Sequence, residues 1–325
     1  MRSKILQRAR SKLEGIPAFV LASEKKKDPV HYAKIMQLAG ISAFYANDID
    51  AAIHRLEEAD IASKEDQRPE TTLSRAYTKH FLGVAFKNWC LEGSPISKNV
   101  EKAALYLMDA FEAVKEEKKQ FLIPVTLAEV MSYQSGAHED AEKLLGEIID
   151  RLEKLRDSES LDPNQSALLL RAHLYKGNIS YKAGRLEEAL QRNKEALTVG
   201  KKNHYAQLSV LQCEFAMKMP IDTDRWREAL RLLEASGALK KREITTRIVA
   251  LAWGFIVSAT INDQDETDRF RKEFEGVGRN IRSIAHRFPV FFSPLSKGLM
   301  TFVDLKQELN DFVDRPVSVP KTESA

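Results

Sequence analysis

The sequence predicts an all-α protein in which short antiparallel helix pairs stack side by side as an α-solenoid. Three observations carry that expectation. In residues 171–196, RAHLYKGNISYKAGRLEEALQRNKEA, the small residues Gly177, Gly184, Ala189 and Ala196 are spaced 7, 5 and 7 apart. In residues 32–59, YAKIMQLAGISAFYANDIDAAIHRLEEA, Gly40, Ala52 and Ala59 return at the offsets of Gly177, Ala189 and Ala196. Glycine and proline number only 14 and 11 in 325 residues, which disfavours a turn-rich β fold. Small residues at such spacing mark places where two helices touch because no side chain separates them.

Apolar residues make up 43% of the chain and charged residues 30%, enough to build a core and too apolar for global disorder. The 50 basic residues nearly cancel the 47 acidic ones, leaving +3, so no strong nucleic-acid or membrane field follows. The longest apolar run, Ile248–Ile261, falls short of the about 20 residues that a membrane helix needs. It reads as a helix buried on most sides. The two cysteines, Cys90 and Cys213, are too few and too far apart for a disulfide framework or zinc site, and read as packed thiols.

Taken in order, residues 1–28 form a basic lead-in. Arg2, Lys4, Arg8, Arg10 and Lys12 precede the first acid, Glu14, and Ile5, Leu6, Ala9 and Leu13 would share a helical face. That pattern suits either a mitochondrial targeting segment or a basic cytosolic helix. Asp28-Pro29 starts the first pair, whose turn takes Asn47 in place of Gly184; asparagine tolerates the left-handed backbone needed there. Gln67–Glu70, containing Pro69, separates it from the second pair. That pair joins Ser74–Cys90, with Gly83, to Val100–Val114, with Ala103 and Ala110, through a long connection holding Gly93 and Pro95. The third joins Ile123–Gln134 to Asp140–Leu155 around Gly136, with Ala141 buried. Residues 157–165, DSESLDPNQ, form a polar linker before the pair built on Gly177. The next joins Gln207–Met219 to Thr223–Ser236, with Ala229 buried and Met219-Pro220 breaking the first helix. Arg247–Asn262 and Glu266–Gly276 form a divergent last pair.

These units resemble the tetratricopeptide repeat family, whose pattern wants a small residue, an aromatic, a turn glycine and two helix alanines. Gly177, Gly184, Ala189 and Ala196 match it, and Gly40, Ala52 and Ala59 match it nearly as well. Tyr181 and Phe44 lie one position beyond the family's aromatic site, and its early tryptophan is absent. The second pair, with its long loop, resembles the related Sel1-type repeat. The resemblance implies a right-handed superhelix of antiparallel helix pairs over residues 29–276. The alanines Ala52, Ala103, Ala141, Ala189 and Ala229 are separated by 51, 38, 48 and 40 residues, so the array should be irregular. Residues 277–313 then read as capping helices, with Leu299–Val313 amphipathic, and 314–325 as a disordered tail.

Chemical motifs are missing. There is no phosphate-binding G-x-x-x-x-G-K-[ST], no HExxH and no G-x-S-x-G. Gly276-Val-Gly278 follows no strand, and His138-Glu139-Asp140 reads as a helix start because adjacent residues point apart. Lys25–Lys27 and Lys240–Arg242 are flanked by acids and read as solvated helix ends. Trp89, Trp226 and Trp253 read as core.

The expected function is therefore a non-catalytic scaffold or adaptor that holds a protein or peptide along the inner face of its first helices, without cofactor, metal or nucleic acid. Gln37, Lys87, Asn178 and Tyr181 are the candidate groove residues, and Phe288, Phe291 and Phe292, the last two flanked by Pro289 and Pro294, a candidate interaction surface. Family members that hold chaperone C-terminal tails use lysine and asparagine on successive first helices. Asn178 sits where that asparagine would, but Leu174 stands where the lysine would, and Gln37 and Ile41 occupy the corresponding places in the first unit, so the clamp is incomplete. The expected location is cytoplasmic. The alternative is a mitochondrial assembly or quality-control adaptor, in the matrix or against the inner membrane. A third class, an enzyme or nucleic-acid binder on a helical scaffold, has no motif behind it.

Overall fold

The computed structural model describes residues 15–46, 48–88, 96–115, 120–132, 134, 136–240 and 250–275 apart from 252, 256 and 259. The N-terminal basic segment, Asn47, Trp89, Cys90, the Leu91–Pro95 connection, the phenylalanine cluster, the expected capping helices and the tail lie outside them. The described residues form helices joined by turns and short loops, without a strand.

The helices are α1 (Ala18–Lys27), α2 (Pro29–Tyr45), α3 (Ile49–Ala62), α4 (Pro69–Asn88), α5 (Ile96–Val114), α6 (Leu122–Met131), α7 (His138–Ser158), α8 (Pro163–Lys182), α9 (Leu186–Val199), α10 (His204–Ala216) and α11 (Thr223–Ala235). A short 3-10 turn, Ala238–Lys240, follows, then helical residues among 250–260, then α12 (Gln264–Glu275). Short acidic or amide side chains start many of them. Asp28 Oδ1 accepts from His31 N–H at 3.0 Å with Pro29 at the first helical position, and Asp48 accepts from Ala51 N–H. Asp162 accepts from Asn164 and Gln165 N–H while Gln165 Oε1 takes Asp162 N–H at 3.0 Å, a reciprocal capping box inside the expected polar linker. Asn203, Asp222 and Asp263 repeat the device at α10, α11 and α12.

The chain divides into two compact units, residues 1–175 and 176–325, with the boundary inside α8. In unit 1 each helix from α2 to α7 packs against the next. Their apolar faces merge into one core running through Ile53, Leu56, Leu82, Phe86, Ala103, Leu107, Leu127 and Val130. In unit 2, α10 packs on α9 and on α11. Tyr181, Ala189, Leu190, Val210 and Cys213 form a core cluster there. This nearest-neighbour order is that of an all-α solenoid.

The crossings explain why the helices pair so closely. A Cβ built on Gly40 would sit 2.6 Å from Leu56 Cγ and 3.2 Å from the Ala52 carbonyl oxygen. On Gly83 it would sit 2.5 Å from Leu107 Cγ and 3.0 Å from Ala103 O, and on Gly177 2.5 Å from Asn193 Oδ1 and 3.3 Å from Ala189 O. Each glycine thus meets an alanine carbonyl and the side chain one turn beyond it. All five expected alanines, Ala52, Ala103, Ala141, Ala189 and Ala229, are 0% exposed. The last pair follows the same rule: Gly254 lies against the Phe270 ring, 16 residues on, as Gly40 lies against Leu56 and Gly177 against Asn193. The turns differ in kind. Gly184 and Gly136 adopt φ of +77° and +87° with open space where a Cβ would be, so there glycine serves the backbone conformation and not packing.

Trp226 and Trp253 are buried, as is the free thiol of Cys213, which burial pushes up to about 12. Replacing Gly83 by valine drives a branched side chain into Ala103 O. Thermal or urea unfolding should show a loss of about 1–3 kcal/mol, whereas Leu105→Ala, at a site 64% exposed, should change stability by less than about 0.5 kcal/mol.

Candidate functional site

Helices α2, α4 and α6 and residues 163–175 of α8 lie in unit 1, and polar side chains tie them together in sequence. Between α2 and α4, Gln37 Nε2 donates to Ser74 O and to Thr78 Oγ1, both at 2.8 Å, and Ser74 Oγ donates back to Gln37 Oε1. Between α4 and α6, Lys87 Nζ donates to Glu129 Oε1 at 2.7 Å. Between α6 and α8, Arg171 Nη2 donates to Glu129 Oε2 at 3.3 Å and to the Tyr175 hydroxyl at 3.3 Å. One carboxylate therefore stands between two cations from two other helices.

The electrostatics of this cluster are unbalanced by design of the sequence. The Glu129 side chain is 5% exposed and that of Lys87 is 12%, while Arg171 keeps 33% of its side chain open. Burial alone would raise the Glu129 pKa, but Lys87 and Arg171 overcome it and hold the carboxyl at about 2. The Tyr175 hydroxyl is pushed above its ordinary range by burial and by Glu129. The guanidinium of Arg171 is raised by Tyr175 and Glu129. His80 on α4 is buried at 5% exposure, and burial, then Arg171 and Lys87, lower its pKa to about 4. With a neutral imidazole the group carries two positive charges against one negative.

Beside this cluster, α2 presents an apolar stripe. Leu38, Ile41 and Tyr45 fall at i, i+3 and i+7, one face of a helix. Leu38 is 58% and Tyr45 61% exposed. Tyr45 stands edge-on to Phe44 and to Phe81 of α4, with ring centroids 5.6 Å and 6.3 Å apart. These rings fix the open side of the stripe in place.

The sequence-derived groove residues take different places. Gln37 and Lys87 lie on first helices and are hydrogen-bonded within unit 1. Asn178 is half-buried on α8. Tyr181 belongs to the interior of unit 2: it is 8% exposed, packs with Ala189, Leu190, Val210 and Cys213, and hydrogen-bonds Gln212. Ser180, at the family's aromatic site one position earlier, is buried as well. Phe288, Phe291 and Phe292 lie outside the described residues. His138 begins α7, and its Nε2 lies 3.2 Å from Ser132 O. Among the described residues no three His, Cys, Asp or Glu side chains gather as metal ligands would, and no helix is long and apolar enough to cross a membrane.

Glu129, Arg171, Tyr175 and His80 escaped the sequence reading. One signal was available for Glu129. It lies 12 residues before Ala141 and 7 before Gly136, the offsets that Gly177 keeps with Ala189 and Gly184. A carboxylate thus occupies a repeat position that four other pairs give to glycine.

The helix pairs are tetratricopeptide-like. No family model matches the chain, and no curated protein does. Among solved structures, pilF of Pseudomonas aeruginosa is similar at 14% identity and a TM-score of 0.45, covering 76% of this chain and 91% of its own. PilW, a widely conserved type IV pilus biogenesis factor, is similar at 13% and 0.43, covering 78% and 97%. A tetratricopeptide repeat protein from Parabacteroides merdae ATCC 43184 is similar at 14% and 0.36, covering 80% and 99%.

Breaking the cluster at its centre should be severe. Glu129→Gln leaves Lys87 and Arg171 without a counter-charge and should lower stability by about 3–5 kcal/mol at neutral pH. Because the Glu129 pKa is depressed from 4.5 to about 2, its contribution is complete above about pH 4.5 and disappears as pH falls through 2. The gap between wild type and variant, measured by unfolding across pH, should close in that window. A double-mutant cycle with Lys87→Met should give a coupling above about 1 kcal/mol.

Proposed function

We propose that the chain is a non-catalytic protein-interaction scaffold or adaptor, and that its binding face is formed by the first helices of unit 1. The observation that carries this reading is the exposed pair Leu38 and Tyr45, one on either side of the half-buried Ile41, with Tyr45 held against Phe81 beside a charge cluster with one surplus positive charge. Apolar side chains left exposed on a rigid helical platform are suited to a partner's apolar anchors. The partly open Arg171 is suited to a carboxylate on the same partner. The occupant is a peptide or protein segment that combines apolar and acidic side chains. Gln37 and Lys87 are tied into this face by hydrogen bonds to Ser74, Thr78 and Glu129.

The test begins with affinity purification and mass spectrometry from the native host, followed by binding of the recovered partner to purified variants. Leu38→Asp and Tyr45→Ala change exposed residues, so helical circular dichroism and melting temperature should stay at wild-type values while affinity falls at least about tenfold, the scale of one lost anchor. Unchanged affinity in both variants would contradict the face assigned.

A second reading, a mitochondrial adaptor, is favoured only by the basic amphipathic pattern of residues 1–13. A reporter fused to residues 1–30 would concentrate in mitochondria under this reading, and a diffuse signal would remove it.

A further inference from the structure

The bridge through Glu129 joins α4, α6 and α8, and His80 lies buried beside it. The groups facing this imidazole are specific. Lys87 comes from its own helix, Glu129 from α6, and Arg171 with Tyr175 from α8. Helix α2 brings Tyr45 against the neighbouring Phe81, whose ring lies 5.5 Å from that of His80. On α5, Lys102 lies over Phe86 and Asp109 takes the charge of Lys79, while on α3 Asp60 takes that of Arg75. Among the described residues the carboxylate that acts on this ring is Glu129, and both its oxygens are already engaged by cations. His80 Nδ1 is buried with no hydrogen-bond partner among the described residues. A proton arriving on this ring would meet two cations, no free acceptor and little water.

We propose that His80 makes the α4–α6–α8 bridge an acid-sensitive latch, closed while the imidazole is neutral and driven open when the imidazole is protonated. The reason is thermodynamic. A histidine released into water binds a proton near its ordinary pKa, whereas in the closed bridge it resists one. Acid therefore favours every state in which His80 is exposed. The stabilising effect of the buried neutral ring is complete above its ordinary pKa of 6.5 and is lost as pH falls towards 4. Over this range Glu129 stays ionised, so the bridge retains its own carboxylate and the effect belongs to the imidazole. The device acts on this chain's own conformation and does not depend on which partner it binds.

Amide hydrogen exchange on the full chain tests the latch, with rates corrected for intrinsic pH dependence. Amides of α4, α6 and α8 should open about 20-fold more often at about pH 5 than at about pH 7 in the wild type. In His80→Gln, which cannot take the proton, the same comparison should stay within about threefold. An equal rise in both proteins, or no rise in the wild type, would overturn the proposal. Should His80→Gln fail to fold, titration of the His80 ring by NMR in the wild type decides: a midpoint near 4 supports the latch, and one near 6.5 overturns it.

Discussion

The structure depends on helices touching where no side chain intervenes. At Gly40, Gly83, Gly177 and Gly254 even a methyl group would overlap the partner helix. Close approach brings a leucine, asparagine or phenylalanine side chain onto bare backbone, with an alanine carbonyl beside it at Gly40, Gly83 and Gly177, and the remaining apolar faces follow into the core of each unit. A helix pair formed this way cannot bury its outer faces alone, so each must stack on the next.

Stacking leaves the first helices of unit 1 lying side by side, and their contact is partly ionic. That choice is energetically odd, since burying two cations and a carboxylate costs solvation that apolar residues would not lose. What the bridge supplies is direction. Apolar surfaces slide past one another with little penalty, whereas Glu129 meets Lys87 and Arg171 at one register only. The same unbalanced group leaves Arg171 partly open to solvent and His80 buried with no partner for Nδ1 among the described residues. One arrangement therefore fixes the register, and the proposed binding face and the proposed acid-sensitive latch both rest on it.

Much of the fold was legible because packing contacts were written as single small residues at fixed offsets. Ala52, Ala103, Ala141, Ala189 and Ala229 could be placed in the interior without coordinates, and Asp28 and Asp162 could be read as boundaries. The last pair looked divergent because Glu266 stands where the alanine is expected, although Gly254 and Phe270 keep the spacing. The site was less legible. A lysine at position 87 looks like any solvated cation until the helix carrying Glu129 is laid beside it. The partners are 42 residues apart on either side of Glu129, and no local pattern connects them. Tyr181 shows the converse: a polar-tipped ring suited to a groove lies in the interior of unit 2, where it packs with Leu190 and Val210.

The most direct test of the account is a proton NOE spectrum of the folded chain, read at the four crossing glycines. If bare backbone is what the neighbouring helices touch, the α-protons of Gly40, Gly83, Gly177 and Gly254 will show strong cross-peaks to the side chains of Leu56, Leu107, Asn193 and Phe270, with Gly254 shifted upfield by the ring. Glycine α-protons that show contacts only within their own helices would contradict it, and the side-by-side stacking of first helices would lose its cause.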